Sequence, residues 1–285
     1  MPIFVKNVDL GKPLRISSWR KIAIGTWKTA GDPSVYGFTD VDMGPALEYI
    51  EKLRQETGKR ITLTHFVGKA VANVIHRTPQ INCILRFGRL YPRKSVDLFF
   101  QVAADSGGED LSGMTVRGAE NKSVLDICVE MEERVRKIRE KKDTSYTQVK
   151  KTMGLIPGIL AYPALWLTSF IMYTLNLWTP LLGAPRDSFG SVMITNIGSI
   201  GLDAAFAPLV PYSRVPLLVT IGGTQDKAIV RNGQIVIGPV MKLTVTFDHR
   251  LIDGVHAASL YKHLMKIFAE PETELSFAKS INWNK

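Results

Sequence analysis

The sequence predicts an α/β domain built on a mixed sheet, and three features carry that expectation. Helical and strand periodicities alternate through the first half of the chain, and β-branched segments fill most of the stretch from Ser191 to Phe247. Between two of those segments stands Asn232-Gly233, a pair suited to the positive φ angles of a tight hairpin turn. With 285 residues and 45% hydrophobic content, a sizeable core can form, and a single domain over 1–285 is expected.

The elements follow in order. RKIAIGTWKT and SVYGFTDVDM read as strands, and MGPALEYIEKLRQETGK reads as a helix opened near Pro45 and stopped at Gly58. TLTHFVGKAVANVIHRTP places Phe66, Val67, Ala70, Val71, Val74 and Ile75 at helical spacing and ends before Pro79. GRLYPRKSVDLFFQVAAD is strand-like. A glycine-rich loop, the short strand LSGMTVRGA and the helix SVLDICVEMEERVRKIREKK come next, with Ser123 as the helix cap. SVMITNIG, PLLVTIGG, KAIVRNGQIVI and KLTVTFDH then read as a continuous sheet region from Ser191 to Phe247, closed by a helix beginning near Gly254.

Composition narrows the setting. Two cysteines, Cys83 and Cys128, cannot build a disulfide framework, and the N-terminal run lacks a signal-peptide core, so a cytoplasmic location is expected. A net charge of +10 favours an anionic partner, whether nucleic acid, a membrane surface or a phosphate-rich small molecule. No His, Cys, Asp or Glu pattern suggests a metal site. One segment stands apart: residues 153–184 carry no charge and are interrupted by Pro157, Pro163 and Pro180. A single membrane span here would separate parts that belong in one fold. The readings left are a helical pair buried against a neighbouring subunit, a hairpin lying on a membrane, and a lid over the active site. Trp166, Phe170, Tyr173, Leu177 and Trp178 are expected to share one apolar helical face.

The chemistry concentrates near the C-terminus. His249 closes a strand, where an imidazole can reach a cleft and move protons near neutral pH. Asp253 and Gly254 complete His-x-x-x-Asp-Gly. In the context DHRLIDG, preceded by a strand and followed by a helix, the motif resembles the active-site signature of the catalytic domain of 2-oxo acid dehydrogenase acyltransferases, a family related to chloramphenicol acetyltransferase. A second match is VMITNIGSIG, which places Thr195 at the family's hydroxyl position, Asn196 beside it, and 54 positions between Thr195 and His249. The resemblance runs from about Arg20 to Leu275 and is weakest between Thr144 and Asp187.

The resemblance implies a two-layer domain of the chloramphenicol acetyltransferase type and an acyltransferase moving acyl groups between coenzyme A and a thiol such as dihydrolipoamide. It assigns His249 as general base and Thr195 as oxyanion stabiliser, with Asn196 and Gly254 near substrate. It also implies an ion pair between Arg20 and Asp253 that holds the loop, although Asp253 equally suits a helix N-cap. His65, His76, His256 and His263 read as packing or helix-surface residues. The expected assembly is a homotrimer with Thr195 and His249 from different chains, and larger cages of trimers. No lipoyl or subunit-binding domain is read in the sequence, so a lipoyl group would ride on a separate chain. No nucleic-acid partner is expected; peripheral membrane contact would run through 153–184. The alternatives are a non-catalytic structural or membrane-associated protein of the same fold, and an O-acyltransferase acting on a small hydroxyl compound.

Overall fold

A computed structural model describes residues 4–15, 33–103, 111–140, 157–182, 184–231 and 233–276. The expected strand RKIAIGTWKT, Arg20 with it, and Asn232 lie outside the described residues.

Among the described residues the main sheet has six strands in the order β2-β10-β9-β8-β5-β6. They are β2 (Ser34–Asp42), β5 (Leu98–Ala103), β6 (Leu111–Val116), β8 (Val192–Asn196), β9 (Leu217–Arg231) and β10 (Gln234–Asp248). β8 runs parallel to both β5 and β9, and the other pairs are antiparallel, so the sheet is mixed as expected. Two short ribbons complete the strands: β1 (Val5–Lys6) pairs with β7 (Leu177–Trp178), and β3 (Cys83–Arg86) with β4 (Arg89–Pro92).

One face of the sheet is covered by helices α1 (Gly44–Thr57), α2 (Leu63–Arg77), α3 (Val124–Arg139) and α5 (Gly254–Ala269), followed by the short α6 (Pro271–Ser276). The period of two along β5 explains the layers: Leu98 and Phe100 enter the helical core, while Phe99 joins a smaller cluster with Met193, Leu209, Val215 and Leu218. α2 is the central helix, buried from His65 to His76. It lies so close to β5 that a Cβ at Gly68 would stand 2.7 Å from the Phe100 ring. Local signals end the helices where the sequence predicts. Gly58 takes the left-handed conformation at the end of α1 (φ 65°), and the Ser123 hydroxyl accepts from the Asp126 N–H (3.1 Å) at the start of α3.

Two expectations about the strands fail. The stretch GRLYPRKSVDLFFQVAAD splits into β4 and β5, and β4 folds back on β3 through Phe87 (φ 46°) and Gly88 (φ 72°). Residues 198–216 are not sheet. They form an irregular crossing over the second face, with 3₁₀ turns at Gly198–Ile200 and Pro211–Ser213. The crossing is held by the Thr246 hydroxyl donating to the Ala207 carbonyl (2.7 Å) and Thr244 doing the same to Ala205. Its apolar Leu209 and Val215, which suggest a strand, instead fill the second cluster.

The uncharged segment is also rebuilt. It forms one helix, α4 (Gly158–Ser169), a π-helical turn (Phe170–Thr174), β7 and a 3₁₀ turn (Pro180–Leu182). Pro163 lies inside α4 without ending it. No helical pair forms among the described residues, because Asn176 at φ 57° turns the chain away and its side chain bonds both the N–H (2.7 Å) and the carbonyl (2.9 Å) of Val8. The five aromatic and leucine positions therefore share no single face: Trp166 stacks on Phe170, Tyr173 is buried with Val8, Ile84 and Met172, and Leu177 and Trp178 belong to β7. No helix among the described residues is long and apolar enough to cross a membrane.

His65 shows how burial couples to pH. It replaces the usual Glu of a capping box, its Nδ1 accepting the Thr62 N–H (3.1 Å), and burial lowers its pKa from 6.5 to about 4. The unfolded chain therefore binds this proton more readily, and stability present above pH 6.5 is lost as the pH falls toward 4, by about 3 kcal/mol for this group. His65→Gln keeps an acceptor for the cap and removes the titration. Urea unfolding at several pH values between 7 and 4.5 should show a shallower acid loss in the variant than in the wild type.

Candidate active site

β10 delivers His249 one residue past its last strand residue, Asp248, and the chain then turns tightly before α5. The turn is fixed by its own backbone. Leu251 N–H (2.9 Å) and Ile252 N–H (3.0 Å) donate to the Asp248 carbonyl, and His249 N–H donates to Pro33 (2.8 Å). The imidazole is half-buried, with Nδ1 2.9 Å from the Ile252 carbonyl. A carbonyl only accepts, so in the neutral ring Nδ1 carries the proton and Nε2 carries the lone pair. That tautomer makes Nε2 the basic atom.

Two residues that the sequence reading passes over hold the turn. Arg250 folds back on Asp248 with Nε at 2.9 and 3.1 Å from the two carboxylate oxygens and Nη2 at 2.6 Å from Oδ2. The Arg250 N–H also donates to Asp248 Oδ1 (3.0 Å), and both side chains are buried. The pair brackets His249 in sequence. Its signal was present in DHRLIDG, where two opposite charges flank the histidine.

Asp253 takes the capping role among the described residues: its carboxylate accepts the His256 N–H (3.1 Å) at the start of α5. The Arg20 partner proposed for it lies outside the described residues. Gly254 is the first residue of α5, and a Cβ there would meet nothing within 4 Å in the same chain. Asn196 donates to the Thr64 hydroxyl (2.9 Å) and accepts the Ser199 N–H (3.1 Å), so within the chain it ties the end of β8 to α2 and to the following turn.

Thr195 and His249 do not come together in one chain. Thr195 is level with Thr220 on β9, which is level with Thr244 on β10. His249 lies five residues farther along β10, roughly 16 Å along the strand direction and about 10 Å across two strands. No side chain closes that gap. The hydroxyl and the imidazole could share a site only across two copies of the chain.

The model of the 2-oxoacid dehydrogenases acyltransferase (catalytic domain) family matches residues 15–153 and 186–276. The chain belongs to this family. Among curated relatives, the dihydrolipoyllysine-residue acetyltransferase component of the pyruvate dehydrogenase complex of Staphylococcus epidermidis is 25% identical over 245 residues, covering 84% of this chain and 46% of that protein. The chain thus spans less than half the length of the curated relatives it matches. Among solved structures, Azotobacter vinelandii dihydrolipoamide acetyltransferase superposes with a TM-score of 0.63 at 17% identity, covering 93% of this chain and 95% of that one. The cubic core of the pyruvate dehydrogenase multienzyme complex superposes with 0.62 at 19%, over the same shares of the two chains. These likenesses establish the fold as that of acyltransferase catalytic cores.

Proposed function

We propose that the chain is a coenzyme A-dependent acyltransferase acting between coenzyme A and a thiol of the dihydrolipoamide class, with His249 as base and Thr195 as oxyanion donor. The observation that carries this reading is the tautomer imposed on His249 by the Ile252 carbonyl, at the motif position of a family named for acyl transfer. His249 Nε2 takes the thiol proton, and the sulfur attacks the thioester carbon to form a new C–S bond. The charge gathered on the former carbonyl oxygen accepts a hydrogen bond from the Thr195 hydroxyl. As the original C–S bond breaks, the departing thiolate recovers the proton from His249. Asp253 and Gly254 shape the loop at the start of α5, and Asn196 fixes the end of β8 beside Thr195.

The same reading makes the functional unit a homotrimer with Thr195 and His249 supplied by different chains, open to further assembly into cages. Three observations support it. The register keeps the two residues apart within one chain. The β9–β10 hairpin runs past the end of β2 and exposes Val230, Ile235 and Ile237 at its tip, an apolar surface suited to another subunit. A neighbour of this fold forms the cubic core named above. The published description of the Azotobacter protein names a serine, a histidine and an asparagine in its mechanism, the asparagine four positions after the histidine. Here Asp253 stands four positions after His249.

The assay that tests the activity measures thiol release from acetyl-coenzyme A with dihydrolipoamide and, in parallel, with small alcohols. Transfer to the dithiol is expected; transfer only to alcohols would favour the O-acyltransferase, and no transfer to either would leave a structural protein. Thr195→Val keeps the side-chain shape and removes the donor. It should cut kcat by about 2.7–4 kcal/mol in barrier terms while coenzyme A binding changes little. Loss confined to binding would contradict the assigned role.

A further inference from the structure

The family model matches the chain up to 153 and again from 186, so the uncharged segment between is an addition to the family's catalytic core. Its helix α4 does not stand off from the fold. The Ser169 hydroxyl donates to the Tyr212 carbonyl (3.0 Å) and accepts from Arg214 Nε (3.2 Å), which pins the end of α4 against the 210–215 crossing. Between them lies a cleft of about 390 Å³. Tyr162, Leu165 and Trp166 of α4 form one wall, Val210, Pro211 and Val215 the other. The floor is made by Asp248, Arg250 and Leu251, the residues on both sides of His249. The Asp248 and Arg250 charges on that floor are paired with each other, and Arg214, whose Nε donates to Ser169, lines the cleft beside them.

We propose that this cleft binds the hydrocarbon chain of the transferred acyl group, and that the substrate class is thioesters of straight-chain acids of intermediate length. The inference rests on the acyltransferase reading. A cleft of this size, walled mainly by apolar and aromatic side chains with Ser169, Arg214, Asp248 and Arg250 as its polar groups, has the character of a small-molecule site rather than of a packing defect. It reaches the residues on either side of His249, and on this proposal the chain lies along α4 with its carboxyl end at that turn. Tyr162 and Trp166, 78% and 54% exposed, stand on the α4 wall where a bound chain would cover them. Each methylene buried there is worth about a fourfold gain in affinity.

The test uses calorimetric titration of the His249→Ala protein, in which transfer is blocked, with acetyl-coenzyme A and decanoyl-coenzyme A below its micelle-forming concentration. Decanoyl-coenzyme A should bind at least tenfold more tightly than acetyl-coenzyme A. In the same background, Leu165→Trp fills the cleft and Tyr162→Asp places a carboxylate on its wall; each should reduce the preference to threefold or less. Tyr162 is exposed, so its variant remains informative if the other fails to fold. Equal affinity for the two thioesters in the parent, or a preference that survives both substitutions, would overturn the proposal. Turnover of the unmodified protein separates the two readings: acetyl transfer without chain-length preference removes the cleft and keeps the enzyme, whereas decanoyl binding without transfer of any acyl group removes the enzyme and leaves the cleft as a chain-binding site.

Discussion

His249→Ala should lower acyl transfer by roughly a hundredfold or more while leaving folding and assembly intact. The imidazole bonds to the turn from Nδ1 to the Ile252 carbonyl, whereas the turn is also held by backbone bonds to the Asp248 carbonyl and by the Asp248–Arg250 pair. Those interactions survive the substitution. What disappears on the proposed mechanism is the base that takes the thiol proton at Nε2. A thiol still ionises slightly in water, so a residual rate remains and should rise with pH as free thiolate accumulates. Steady-state rates from pH 6 to 9, with circular dichroism and size-exclusion chromatography as controls for fold and assembly, check the result. An unchanged rate would remove the mechanism.

The second large effect falls on stability. Arg250→Met leaves the Asp248 carboxylate buried without its cation, and removing one partner of a buried pair costs about 3–5 kcal/mol. The carboxylate keeps only the Arg250 backbone N–H among its present donors. Asp248→Leu combined with Arg250→Met removes both charges of the pair and should recover part of that loss, the remainder falling on Arg214, which loses the favourable charge of Asp248. Chemical unfolding at one fixed protein concentration measures both variants. A loss below about 1 kcal/mol in the single variant would show that water reaches the pair and that the turn does not depend on it.

How much of this was legible beforehand depended on whether the determining contacts were local. Gly58, Ser123 and the start of α5 at Gly254 act within one turn of helix, and all three ends stand where the sequence places them. The paired strands β9 and β10 were announced by their β-branched runs and by a glycine at φ 78°. The 198–216 crossing was misread because its apolar residues obey no local period; they answer to Phe99, Met193 and Leu218 on strands distant in sequence. Gly222 marks the same long-range constraint, since a Cβ there would lie 1.9 Å from the Asp203 carbonyl oxygen. The site divided in the same way. His249 and Thr195 are proposed from motifs, whereas the role of Asp248 and Arg250 in holding the turn needed its geometry. The apolar run 153–184 left a lid over the active site as one of three readings but could not select it, because the bonds that anchor its helix beside that turn reach Tyr212 and Arg214, more than forty positions away.

The central claim, that one active site draws Thr195 from one chain and His249 from another, is tested most directly by mixing two inactive proteins. His249→Ala and Thr195→Val are co-expressed with different affinity tags, and mixed assemblies carrying both tags are isolated. If the residues act across chains, every mixed trimer holds one intact site of its three, and the mixed assemblies recover about a third of the wild-type rate per chain. If each chain depended on its own Thr195 and His249, no mixed assembly would hold an intact pair, and its activity would stay at the low level of the two parents.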